Sequence, residues 1–97
     1  MVKGYWLARL DIKDRELFAE YRKRNAAPIV QFGGRFIVKG GKAETRIGAA
    51  AAENVVIEFD TYEKAMACFE SADYQAAAEY LKRSCDIVEF VIVEGTE

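Results

Sequence analysis

The strongest constraint on this chain is the order in which its hydrophobic period changes. Gly4-Tyr5-Trp6-Leu7-Ala8-Arg9-Leu10 is a short aromatic and apolar run closed by Asp11, which predicts a strand. Asp14 can then N-cap a helix whose apolar residues Leu17, Phe18, Tyr21, Pro28, Ile29 and Phe32 recur at helical spacings, with Gly33-Gly34 to end it. Pro28 lacks an N–H and crowds the preceding turn, so a kink or restart is expected near Asn25–Ala27. Arg35-Phe36-Ile37-Val38 reads as a second strand, Lys39-Gly40-Gly41-Lys42 as a turn, and residues 43–53 as an exposed loop containing the Ala49–Ala52 run. Asn54–Phe59 is a third strand. Asp60 or Thr61 caps a second helix through Tyr62, Ala65, Met66 and Phe69, and Ser71 offers a fresh cap for Tyr74, Ala77, Ala78 and Leu81. Ile87–Val93 is the last strand.

A β-α-β-β-α-β order in 97 residues leaves room for one domain, residues 1–97. It predicts the α+β ferredoxin-like sandwich, a four-stranded antiparallel sheet with two helices on one face. Alternation sorts the strand residues into two sets. Trp6, Ala8, Leu10, Phe36, Val38, Val55, Ile57, Phe59, Val88, Phe90 and Ile92 form a set without charge, expected beneath the helices. Tyr5, Leu7, Arg9, Arg35, Ile37, Val56, Glu58, Ile87, Glu89 and Val91 form the other. That second set mixes apolar and charged groups in a way that suits an interface better than water, and predicts a homodimer through the sheet face. A solvated sheet with some exposed apolar residues is the alternative.

Composition excludes several classes of function. Fourteen basic and sixteen acidic residues give a net charge of −2, so no global positive field attracts nucleic acid. The third strand, Asn-Val-Val-Ile-Glu-Phe, lacks the basic start and stacking aromatics of an RNA-binding strand. No apolar stretch approaches the roughly 18–20 residues of a membrane span, and Met1-Val2-Lys3 opens no signal peptide. The chain contains no histidine, which removes the commonest general base and metal ligand. Cys68 and Cys85 stand 17 positions apart without a CxxC, so neither a metal site nor a redox motif is expected. Two buried free thiols in a reduced, cytoplasmic protein, with no cofactor, are the expectation.

Gly4-Tyr5-Trp6, Tyr21, Gly33-Gly34-Arg35-Phe36, Gly40-Gly41, Val55-Val56-Ile57-Glu58-Phe59, Tyr62, Tyr74 and Val93-Glu94-Gly95 occur in an order and spacing that resembles the domain-of-unknown-function 1330 family over essentially the whole chain. The resemblance implies a dimeric α/β barrel, in which two such sheets face one another. That superfamily also holds cofactor-free monooxygenases, lactone isomerases and non-catalytic sensing modules, so the resemblance implies a fold and not a reaction. Ala49–Ala52 departs from the family, whose members carry bulkier and charged residues there.

Two groups of residues are candidates for a site. Arg35 follows two glycines, and its planar fork suits a carboxylate; an ion pair with Glu58 or Glu89 on the same face is the alternative. Arg9 has the same two readings. Glu58 is the candidate acid or base, its pKa open to a rise by desolvation or a fall beside an arginine. The second group is Tyr21, Asn25 and Tyr62. Tyr21 and Asn25 are one helical turn apart, and all three could offer hydroxyl or amide groups to a ligand between helices and sheet, or could be core residues with polar tips. Arg22-Lys23-Arg24 reads as a solvated helix face. Together these features predict either a cofactor-free enzyme or binder for a small organic acid or aromatic molecule, with Tyr21 and Glu58 moving protons and Arg9, Asn25, Arg35 and Tyr62 binding, or a non-catalytic homodimeric assembly module.

Overall fold

Alternating apolar residues in β1 (Gly4–Ile12) bury Trp6, Ala8 and Leu10 on one side, and this strand takes the centre of the sheet. It pairs antiparallel with β3 (Glu53–Phe59) on one side and β4 (Cys85–Glu94) on the other, while β2 (Arg35–Lys39) pairs antiparallel with β3. The sheet order is therefore β2-β3-β1-β4, as the split β-α-β-β-α-β pattern requires. The computed structural model describes residues 2–51 and 53–97, and for Val88 the backbone alone. Ala52 and the side chain of Val88, expected in the loop and on the apolar face, lie outside the described residues. Within one chain the sheet is open, with β2 and β4 as its edges, so a closed barrel is not formed by the chain itself.

The helix layer follows its capping residues. Asp14 Oδ1 accepts from the N–H groups of Glu16 and Leu17, both at 3.1 Å, to start α1 (Arg15–Gln31). Thr61 Oγ1 accepts from the Lys64 N–H at 3.1 Å to start α2 (Tyr62–Glu70). Ser71 accepts from the Tyr74 N–H at 3.2 Å and donates to the Cys68 carbonyl at 2.7 Å. This junction starts α3 (Ala72–Ser84), so the layer holds three helices rather than two.

Helix α1 excludes one of the two alternatives expected at Pro28, the restart. It neither restarts nor breaks before Pro28, which lies inside one helix of 17 residues. A proline inside a helix costs roughly 3 kcal/mol. Here Pro28 and its neighbour Ile29 are buried, and that packing offsets the lost backbone bond. The helix ends at Gly33-Gly34, whose N–H groups return to the carbonyls of Val30 and Ile29 at 2.9 and 2.8 Å.

The core gathers around Trp6, whose ring is enclosed by Phe59, Phe69, Tyr74 and Phe90. Its Nε1–H donates to the Ala65 carbonyl at 2.9 Å, tying β1 to α2. Gly4 permits this approach, since a Cβ there would stand 2.6 Å from the Tyr62 Cα. Both thiols, Cys68 and Cys85, are buried and free.

Two irregularities in the sheet overturn part of the face assignment. In β2 the register shifts between Phe36, opposite Ile57, and Val38, opposite Val56. Val38 therefore stands on the open face, 40% exposed, and Lys39 turns to the helix side opposite Val55. In β4 the register shifts so that Glu89 faces Arg9 while Ile87 faces Leu10, on the opposite side from the one alternation assigned it. A one-residue shift reverses every side chain beyond it.

Phe59 is fully buried, whereas Phe90 is partly buried. Phe59→Ala should cost roughly 3–5 kcal/mol and Phe90→Ala distinctly less, read by urea denaturation. A loss below about 1 kcal/mol for Phe59→Ala would contradict this core.

Candidate functional site

The helices do not lie on the sheet equally. Helix α1 packs along α3, while α2 and α3 contact the sheet. The start of α1 is held by the Ser84 carbonyl, which accepts from the Lys13 and Asp14 N–H groups at 2.8 and 2.9 Å. Beneath α1 remains a cavity of about 430 Å³. Its floor is Trp6, Ala8 and Leu10 from β1, Phe36 from β2, Val55 and Ile57 from β3, and Phe90 from β4. Its roof is the α1 face carrying Arg15, Phe18, Tyr21, Arg22, Asn25 and Ala26, residues three, four or seven apart. Lys39, Gly40, Gly41 and Glu53 form the remaining rim. Gly40 has φ +71° and is close enough to the Glu53 carboxylate that a Cβ would stand 2.6 Å from its Oε2.

The buried polar groups of the lining are Tyr21 and Asn25, and Tyr21 is tied to Tyr74 behind it. The Tyr21 and Tyr74 hydroxyls are hydrogen-bonded at 2.8 Å, and the neighbouring Asn25 side chain opposes the effect of burial on Tyr21. Burial pushes both phenols above their ordinary pKa, so both are neutral hydroxyls at physiological pH. Burial likewise raises the Cys68 thiol to about 12 and raises Cys85, leaving neither as a thiolate nucleophile. Among the described residues no group of three or more His, Cys, Asp or Glu is placed to hold a metal, and no helix is long and apolar enough to cross a membrane.

Of the residues singled out from the sequence, Tyr21 and Asn25 line this cavity and Tyr62 does not. Arg9, Arg35 and Glu58 lie on the opposite, open face of the sheet. There Arg35 contacts Glu58 at 2.9 Å and Asp60 at 3.1 Å, and donates to the Gly33 carbonyl. Tyr5 donates its hydroxyl to Glu58 at 3.0 Å. That bond, reinforced by Arg35, holds the Glu58 carboxyl below the usual carboxylate range against the opposing effect of desolvation. Arg35 does the same for Asp60. Arg9 pairs with Glu89 at 2.9 Å and also donates to the Ala49 carbonyl.

Sequence reasoning missed four rim residues: Arg15, Arg22, Lys39 and Glu53. The seven-residue interval from Arg15 to Arg22, with Phe18 and Asn25 on the same helix face, was a legible signal for two of them. The Arg22-Lys23-Arg24 run divides, because Lys23 and Arg24 pair with Glu20 while Arg22 lines the cavity. Nothing in the sequence signalled Lys39, whose direction depends on the β2 irregularity.

Removing either hydroxyl of the tyrosine pair leaves a buried partner with a lost bond. Tyr21→Phe and Tyr74→Phe should each destabilise by about 1–3 kcal/mol. The double variant should cost less than the two losses together, because it strands no partner. A denaturation cycle with additive losses would contradict a coupled pair.

The model of the domain of unknown function DUF1330 matches residues 3–96. No curated protein sequence matches the chain. Among solved structures, a protein of unknown function from Rhodopseudomonas palustris is similar at TM-score 0.74 and 11% identity, over 96% of this chain and 80% of that one. A dimeric ferredoxin-like protein of unknown function from Thermobifida fusca is similar at TM-score 0.56 and 12% identity, over 99% and 92%. A dimeric protein of unknown function with a ferredoxin-like fold from Bacteroides fragilis is similar at TM-score 0.55 and 15% identity, over 99% and 95%. These likenesses concern the fold, and they agree with the β-α-β-β-α-β sheet order. With the match spanning nearly its whole length, the chain belongs to the DUF1330 family.

Proposed function

We propose that this protein is a homodimer whose protomers each bind a compact organic acid or aromatic molecule in the cavity beneath α1. The observation that carries the reading is the cavity itself: about 430 Å³, aromatic and aliphatic in its floor, with a few convergent polar groups. That volume and lining are those of small-molecule sites in general. Tyr21 and Asn25 are the polar groups a ligand meets inside, and the Tyr21 hydroxyl is held in place by its bond to Tyr74.

The register of the sheet supports the dimer. Val38, Val56, Leu7 and Val91 lie side by side in one row across all four strands of the open face. Leu7 is 39% and Val91 45% exposed. Polar rows flank this apolar stripe, Arg35, Glu58 and Tyr5 on one side and Asn54, Arg9 and Glu89 on the other. An apolar centre with a paired, polar rim is the anatomy of a protein interface, and two of the similar solved structures are described as dimeric. On this reading Arg9, Arg35 and Glu58 set the register between protomers. Their mutual pairing also favours a second reading, a non-catalytic assembly module, because that face is satisfied without a ligand.

A thermal-shift panel of aromatic and aliphatic carboxylic acids, combined with sedimentation, separates the two. A ligand at about 100 times its Kd stabilises by about 2.7 kcal/mol. At least one acid should raise the melting midpoint of the wild type and fail with Ala26→Phe, which fills the cavity from an exposed helix position. The wild type should sediment at twice its chain mass of 10.9 kDa, and Leu7→Lys as a monomer. A dimer with no response to the panel would support the assembly module, and a wild-type monomer would overturn the dimer.

A further inference from the structure

The irregularity in β2 changes the chemistry of the cavity. Strict alternation would send Lys39 to the open face with Arg35 and Ile37. The register shift instead sets Lys39 opposite Val55, on the helix side. Its ammonium lies 4.7 Å from the centroid of the Phe36 ring, whose edge belongs to the cavity floor. Such a seat over an aromatic face is favourable for a cation and holds the long side chain at the rim. Bulges are known to re-aim side chains near functional sites.

The exposed and the buried parts of the cavity lining differ in charge. Arg15 and Arg22 join Lys39 on its lining, and none of the three is ion-paired among the described residues. Glu53 is the one acidic side chain that lines it among the described residues, so the rim remains cationic. The uncharged polar groups of the lining, Tyr21 and Asn25, are buried, only 6% and 7% exposed, among aromatic and aliphatic side chains.

We infer that the cavity takes an aromatic monocarboxylate bearing an oxygen function at its far end, with Lys39 holding the carboxylate at the rim. The inference rests on the reading of this cavity as a small-molecule site. An anion is selected by the unpaired cations, a planar apolar body by the aromatic floor, and a distal hydroxyl or carbonyl by Tyr21 and Asn25. Glu53 beside Gly40 disfavours a more highly charged anion such as a phosphate.

The test is calorimetric titration of three probes: para-hydroxyphenylpropanoate, phenylpropanoate and para-hydroxyphenylpropanamide. Wild type should bind the hydroxylated acid at least about tenfold more tightly than its amide, a difference of about 1.4 kcal/mol. That preference should vanish in Lys39→Met and persist in Lys39→Arg, with circular dichroism reporting that both variants are folded. Tyr21→Phe should abolish the preference for the hydroxylated acid over phenylpropanoate. A carboxylate preference that survives Lys39→Met overturns the role of Lys39. Binding of all three probes without a carboxylate preference overturns the ligand class but leaves the cavity a small-molecule site. Absence of binding by any probe overturns both.

Discussion

The packing of Trp6 is the constraint on which the rest of the structure depends. Its ring centroid lies 4.7 Å from that of Tyr74, 5.1 Å from Phe59, 5.4 Å from Phe90 and 6.0 Å from Phe69, and its N–H is bonded to α2. Aromatic pairs of this kind contribute about 0.5–1.5 kcal/mol each beyond their buried area. Because β1 is the central strand and Trp6 is engaged by α2 and α3, those two helices are drawn onto the sheet. Helix α1 is then left to pack on α3, with its start tied to the Ser84 carbonyl. The cavity is the space left between the sheet and the face of α1 that carries Arg15, Phe18, Tyr21, Arg22 and Asn25.

The two faces of the sheet consequently do different work. On the helix side, burial removes charge from the floor and keeps the tyrosine pair neutral, so that the cavity presents hydroxyl and amide groups within and cations at the rim. On the open side, Arg9, Arg35, Glu58, Glu89 and Asp60 are paired with one another around an apolar stripe. Ion pairs at an exposed sheet face contribute little to stability. Isolated arginines would have been available to a ligand; these are committed to carboxylates.

The element order, the caps at Asp14, Thr61 and Ser71, and the charge-free helix-side face around Trp6, Ile57 and Phe59 were all legible in the sequence, because each rests on a local rule. The misread positions share a cause. Val38, Lys39 and Ile87 lie beyond register shifts, and a bulge depends on how two strands meet rather than on the residues of either alone. Pro28 gave a true local warning that tertiary packing overrode. The site divided in the same way. Tyr21 and Asn25 were visible because helical spacing places them on one face, and the Arg35–Glu58 pair was one of the two readings that strand alternation offered, whereas the direction of Lys39 is set by the bulge.

The central claim is that the space beneath α1 receives a ligand, and amide chemical shifts measure this most directly. In a titration of the uniformly ¹⁵N-labelled protein with phenylpropanoate, the account predicts the largest perturbations at Tyr21–Ala26 of α1, at Phe36–Gly41 and at Val55–Ile57. Perturbations confined to the open face, at Leu7, Glu58 and Val91, or none at millimolar probe, would contradict it.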